Sequence, residues 1–238
     1  FPTYIYPEYL SDPAVLFCPS TADLQAAEDG MKDDDGNWCL GYGGIGFREC
    51  GRGVDTSYQY MGWILDRNES TDPLVPISTF PNLNTAAGFF SADTSALIPE
   101  QWGALMDKYF EGFILVYFSA PAQPQNQPMP QALEDIDVST TAPGAGNGGS
   151  DSILRLREGV ERFLITDINN PGGSAKAQSS VYIMFDTLSI HPQAYNHIPG
   201  GSNVLYMDGH VEYLKYNPSG EQPLNEPSAT LMGIYTNF

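Results

Sequence analysis

Between positions 203 and 215 the chain reads Asn-Val-Leu-Tyr-Met-Asp-Gly-His-Val-Glu-Tyr-Leu-Lys. Two apolar, β-prone runs flank Asp208-Gly209, and Asp-Gly in that setting is among the strongest short-range hairpin signals. The reason is steric: Gly takes positive φ freely and Asp tolerates it. The pattern predicts strands over 203–207 and 210–215, a two-residue turn at Asp208-Gly209, and Met207 directly opposite His210. The run Val181-Tyr182-Ile183-Met184-Phe185-Asp186 predicts a third, neighbouring antiparallel strand over 181–186.

At 238 residues the chain suits one large domain, or one domain with an insertion, and is long enough to bury a core. Twenty-nine acidic against 10 basic residues give a net charge of −19. That balance argues against nucleic acid and anionic membrane as partners, since both repel it. It suits solubility, a saline exterior or cation binding, with solubility the plainest. No run of 18 apolar residues occurs, so nothing in these residues is expected to span a membrane.

Elsewhere the patterning is mixed. Pro7 to Leu10 reads as a helical turn, 14–19 as a short apolar strand, 22–31 as a short helix and 32–37 as an acidic turn. Partial alternation over 57–65 predicts a strand with one buried face. The Pro-, Asn- and Thr-rich stretch 66–87 predicts loop. Over 98–110, Trp102, Leu105, Met106 and Tyr109 recur at helical spacing, with Pro99 in the first turn. Residues 120–149 form an irregular surface insertion rich in Pro, Gln, Ala and Gly. A second helix is expected from about 151, capped by Ser150 or Asp151, with Ile153, Leu154, Leu156, Val160, Phe163 and Leu164 as its apolar face. It should stop at Asn170-Pro171-Gly172. The tail after Asn217 has turn chemistry, with Ile234-Tyr235 an edge segment. Together these predict a single α+β domain over 1–238 with a C-terminal antiparallel sheet and helices packed on one face.

Ten residues separate His197 from Asp208-Gly209, and they include Pro199-Gly200-Gly201-Ser202-Asn203 and an apolar strand. This arrangement resembles the C-terminal signature of bacterial prepilin-type proteins, the pseudopilin-like proteins of type II secretion and type IV pilus systems. The usual spacing is one residue shorter, and Pro199 looks like the insertion. Segments 6–20, 57–66 and 154–170 are similar to the same group, so the likeness covers about a third of the chain, from end to end. The resemblance implies a pilin-like, non-catalytic globular domain outside the cytoplasm, facing the periplasm or the cell exterior. It implies assembly with copies of itself or other pilin-like subunits and with the secretion or pilus machinery. It also implies a hydrophobic helix preceding Phe1 as the only membrane element. His197, Gly200, Gly201, Asp208 and Gly209 would be its structural motif. Calcium, which holds some major pseudopilins, enters by the same route without a mapped ligand set.

Three constellations carry potential chemistry. His191, His197 and His210 lie near Asp186 and Asp208 in sequence, and imidazole with carboxylate suits divalent metals. Asp186, His197 and Asp208 are the candidate ligands. The competing reading makes Asp208 a turn residue and His197 a structural brace for the Pro-Gly-Gly loop. Asp33, Asp35 and Asn37 alternate like calcium ligands, although Gly36 comes too early and no Glu closes a twelve-residue loop. Residues 146–151 before the expected helix suit either an anion or a cap. Tyr58, Tyr60, Trp63 and Trp102 would serve a carbohydrate-directed or calcium-dependent binding module. No Gly-x-Ser-x-Gly elbow occurs and no Cys sits in a basic setting, so no catalytic residue is assigned. Cys18, Cys39 and Cys50 leave one disulfide and one free thiol as the plainer outcome, with Cys39–Cys50 and pairings from Cys18 both open. Asn68-Glu69-Ser70 matches a glycosylation acceptor. The ordering is therefore a non-catalytic assembled subunit first, a binding module second, and third a metallohydrolase built on Asp186, His191, His197, Asp208 and His210.

Overall fold

The structure, a computed structural model, describes residues 11–21, 24–32, 35–38, 57–89, 91–119, 134–160, 178–189, 195–197 and 200–235. Its centre is a four-stranded antiparallel sheet of β1 (Tyr58–Tyr60), β6 (Tyr182–Asp186), β7 (Gly201–Tyr206) and β8 (Val211–Lys215), in the order β1-β6-β7-β8. The three strands expected near the C-terminus are thus present and adjacent. Two antiparallel ribbons flank them: β2 (Leu74–Pro76) with β3 (Leu97–Pro99), and β4 (Ile136–Asp137) with β5 (Ser152–Ile153). The helices are α1 (Leu24–Asp29), α2 (Pro81–Phe89), α3 (Glu100–Ser119) and α4 (Glu226–Tyr235). Among the described residues no helix is long and apolar enough to cross a membrane.

The hairpin differs from the expected two-residue turn. Gly209 donates its N–H to Tyr206 O at 2.9 Å and Tyr206 donates to His210 O at 3.0 Å, while Gly209 takes φ +91°. The loop therefore has three residues, 207–209, with the left-handed glycine that closes such loops. Tyr206, not Met207, lies opposite His210, and their rings stack at 4.5 Å with only 4° between planes.

One face of the sheet is core. Gln59, Phe185 and Val204 are register neighbours across β1, β6 and β7, and all three are buried. Helices α2, α3 and α4 pack into this core: Trp102 of α3, 1 % exposed, meets Tyr182 at 6.1 Å and Phe185 edge-on at 6.1 Å. Leu105 and Met106 follow Trp102 into the same core, as the helical spacing over 98–110 required. Ala229, Leu231, Met232 and Ile234 of α4 complete it. The expected edge segment at Ile234-Tyr235 is thus the end of a helix, whose Ser228 N–H is capped by Asn225 Oδ1 at 2.9 Å.

Three further expectations are corrected by tertiary partners. The stretch 66–87 carries β2 and α2. Buried Asp107, reaching from α3, accepts from the Asn82 and Leu83 N–H groups at 2.7 and 2.9 Å, a cap that no local residue supplies. The expected helix from 151 begins instead as β5 and continues extended. Leu154 N–H is taken by Asn147 Oδ1 at 2.7 Å, Arg155 N–H by Asp135 Oδ1 at 2.8 Å and Leu156 N–H by Gly62 O at 2.9 Å. With those donors committed elsewhere an α-helical ladder cannot form there. Asp151 caps no helix either; its carboxylate accepts from Gly144 N–H at 2.7 Å. Residues 14–19 hold a 3-10 turn, Pro13–Leu16, capped by Asp12, where a strand was expected.

The insertion is only partly a surface excursion. Ile136, Val138, Ala142 and Ala145 are buried in the main core, while 120–133 lie outside the described residues. The expected turn at 7–10, Cys39, Cys50 and the helical stop at 170–172 also lie outside them. Cys18 is a free, buried thiol, which removes the pairings that begin there. Asn68 is no glycan acceptor in this fold: it is buried, and its Nδ2 donates to Ser180 O.

Candidate functional site

At the end of β6 the side chain of Asp186 is held from β7. Asn203 donates to Asp186 Oδ2 twice, from its backbone N at 2.7 Å and from Nδ2 at 2.9 Å. The loop before β7 brings His197 to the same oxygen, with Nε2 at 3.0 Å. That loop is anchored on both sides. Asn196 Nδ2 donates to Ser57 O at 2.7 Å, and Gly200 N–H donates to His197 O at 2.8 Å. Cys18 arrives from the N-terminal segment and sets Sγ 3.3 Å from His197 Nε2.

The thiol, the imidazole and the carboxylate thus have one ligand atom each within 4.8 Å of one another. Cys18 and Asp186 are each 2 % exposed, whereas the His197 side chain retains 23 %. Burial pushes the Cys18 thiol up, and the Asp186 charge acts in the same direction against opposing hydrogen bonds from Ser20. Burial likewise raises the nearby Tyr58 phenol, with Cys18 and Asp186 adding to it.

This geometry is not a nucleophilic triad. In such a relay the acid orients one ring nitrogen and the nucleophile meets the other. Here Cys18 and Asp186 converge on the same nitrogen, Nε2, and the thiol is biased toward its unreactive protonated form. The set instead brings a soft, a borderline and a hard donor within 4.8 Å of one another, donor types that metal centres use.

Of the sequence-predicted ligands, Asp186 and His197 are together and Asp208 is elsewhere. Asp208 sits in the 207–209 loop at the far end of β7, five residues beyond the Asn203 that holds Asp186, so roughly 15 Å away. There it accepts from His210, at 3.1 Å from the backbone N and 2.5 Å from Nδ1. The side-chain bond from His210 is the main cause that lowers its carboxyl below the usual range. The His197 ring contacts Cys18 and Asp186, while its backbone O accepts from Gly200 N–H in the loop that the sequence reading had it brace. Gly201 matters for close approach: a Cβ there would collide with Leu214 O and the Tyr213 ring. Gly200 faces open space. His191, Asp33 and Asp34 lie outside the described residues.

Cys18 is the member of this cluster that sequence reasoning missed. It stands 179 residues from His197, and its only local signal, a Cys within an apolar run before Pro19, does not name a partner. The aromatic set also separates. Trp102 is core, and Trp63 packs under the Arg155 guanidinium at 5.0 Å while donating its indole N–H to Glu134 O. A separate open cleft of about 500 Å³ is lined by Glu69, Leu74, Leu97, Gln222, Glu226 and Thr230 among others, without an imidazole or thiol. Comparison with protein-family models, curated proteins and solved structures finds no match to this chain.

Proposed function

We propose that this chain is the globular domain of a non-catalytic, pilin-like subunit outside the cytoplasm. It packs with copies of itself or with related subunits in a type II secretion or type IV pilus-like assembly. The observation that carries this reading is the outer face of the sheet. Tyr60, Met184, Leu205 and Val211 are successive register partners across all four strands, so their side chains form one continuous apolar row. Val211 is 61 % exposed and Tyr213, two residues on along the same face, 52 %; Met184 and Leu205 are half-buried.

On a chain of net charge −19, this row and Tyr213 lie on a face where, among the described strand residues, the acidic side chain is Asp186, which is buried. Like-charged copies can approach there without placing carboxylate against carboxylate, and burying the row supplies the drive. The C-terminal resemblance names the kind of assembly that such a face would serve.

The full-length gene product, expressed with its assembly machinery, should be found in surface filaments by immunogold labelling. The double substitution Val211→Asp/Tyr213→Asp should leave the far-UV spectrum unchanged and remove the subunit from filaments. An unassembled wild type, or a double variant that assembles equally well, would overturn the reading.

A further inference from the structure

We propose that Cys18, Asp186 and His197 form a three-ligand site for a thiophilic divalent cation, zinc by preference, that staples the N-terminal segment to the sheet. The atoms already stand close to the required shape. Tetrahedral zinc with Zn–S of about 2.3 Å and Zn–N and Zn–O of about 2.0–2.2 Å places sulfur about 3.5 Å from nitrogen and nitrogen about 3.4 Å from oxygen. The corresponding separations are 3.3 Å for Cys18 Sγ to His197 Nε2 and 3.0 Å for His197 Nε2 to Asp186 Oδ2. Both lie within about half an ångström of the tetrahedral values, and Cys18 Sγ is within 4.8 Å of the Asp186 carboxylate.

The polar contacts of the cluster converge on one carboxylate. His197 Nε2 stands beside both Cys18 Sγ and Asp186 Oδ2, and the Cys18 thiol also hydrogen-bonds Asp186. Asp186 Oδ2 is meanwhile already engaged twice by Asn203. A cation among the three donors uses all of them in their best state: thiolate, neutral imidazole and carboxylate. Asn203 then fills the outer-shell place that a ligating carboxylate normally has.

Ligand type selects the ion. Thiolate with imidazole favours zinc over calcium, which takes oxygen ligands, so this site is distinct from any calcium implied by the prepilin resemblance. Three protein ligands leave one tetrahedral position for water.

The staple has a structural consequence. Leu16, Phe17, Ala27 and Met31 form a small cluster of their own, separate from the main core, with Phe17 stacked on Trp38 at 6.0 Å. Cys18 follows directly after Phe17. A metal bond from Cys18 to Asp186 and His197 ties that small cluster to β6 and to the loop before β7.

The test uses the full chain, purified without a polyhistidine tag, and titrated with cobalt(II) and then zinc(II). One equivalent of cobalt should bind with a thiolate-to-metal charge-transfer band, and zinc should displace it and raise the melting temperature. The band should disappear in Cys18→Ser and in His197→Gln, each variant being checked for an unchanged far-UV spectrum. Asn203→Ala should weaken zinc binding about 10- to 100-fold, and Asp208→Asn should leave it unchanged. Absence of stoichiometric binding, a cobalt complex without the thiolate band, or a band that survives either ligand substitution would overturn the site.

Discussion

Glycines near the hairpin behave differently because their backbones and surroundings differ. At Gly209 the φ of +91° belongs to the left-handed region, and the loop closes only in that conformation. Gly209→Ala should therefore lower stability by about 1–2 kcal/mol in urea denaturation. Gly200→Ala, into open space at ordinary φ, should stay within about 0.5 kcal/mol of wild type. Equal losses at both positions would contradict the loop geometry. The presence of a glycine-dependent turn was legible in Asp-Gly. Which two residues oppose each other was not, because loops of two and three residues share that dipeptide, and the choice rests on pairing Tyr206 with His210.

Among the elements, α2 shows how a helix escapes sequence reading. Its own sequence, Pro-Asn-Leu-Asn-Thr-Ala-Ala-Gly-Phe, has few strong helix formers and no acidic residue in the first turn. Its orphan amides are satisfied from α3 by Asp107, which is 1 % exposed and also accepts from Asn82 Nδ2 at 3.1 Å. Asp107→Ala should cost about 2 kcal/mol by leaving buried amides unpaired, measured as a shift in urea midpoint at constant slope. A neutral outcome would mean that α2 is capped some other way. By contrast α3 was readable, since Trp102, Leu105 and Met106 state one apolar face at helical spacing without outside help. The stretch after Asp151 misleads for the opposite reason. Its apolar residues are also compatible with helical spacing, but Asn147, Asp135 and Gly62 claim its amides and hold it extended.

At the scale of the whole molecule, the core is built around aromatic side chains whose hydroxyls are confined. Tyr182 is fully buried and donates to Gln222 Oε1 at 2.9 Å, and burial holds its phenol well above the ordinary value. Burial pushes Tyr195 up to about 12, and raises Tyr206 and Tyr216 in the same direction. A phenol whose folded pKa exceeds its unfolded value favours the native state in its protonated form. That contribution is complete below pH of about 10 and is lost as pH rises through the folded values. The protein should accordingly lose stability between about pH 10 and 12, with phenolate absorbance from the buried tyrosines appearing together with unfolding. Gradual phenolate formation without loss of near-UV dichroism would show that these rings are more accessible than their packing indicates.

Local chemistry in the chain determined the β6, β7 and β8 strands, the helix through Trp102 and the Asp-Gly turn, because each depends on neighbours within a few residues. The same reading placed Asp186 and His197 among the candidate ligands, through residue type and proximity in sequence. Tertiary structure decided the rest. It sent Asp208 to the far end of β7, since a strand separates residues that sequence distance makes look close. It set Cys18 beside His197 across 179 positions, a contact that no local pattern encodes because chain folding alone brings the two segments together.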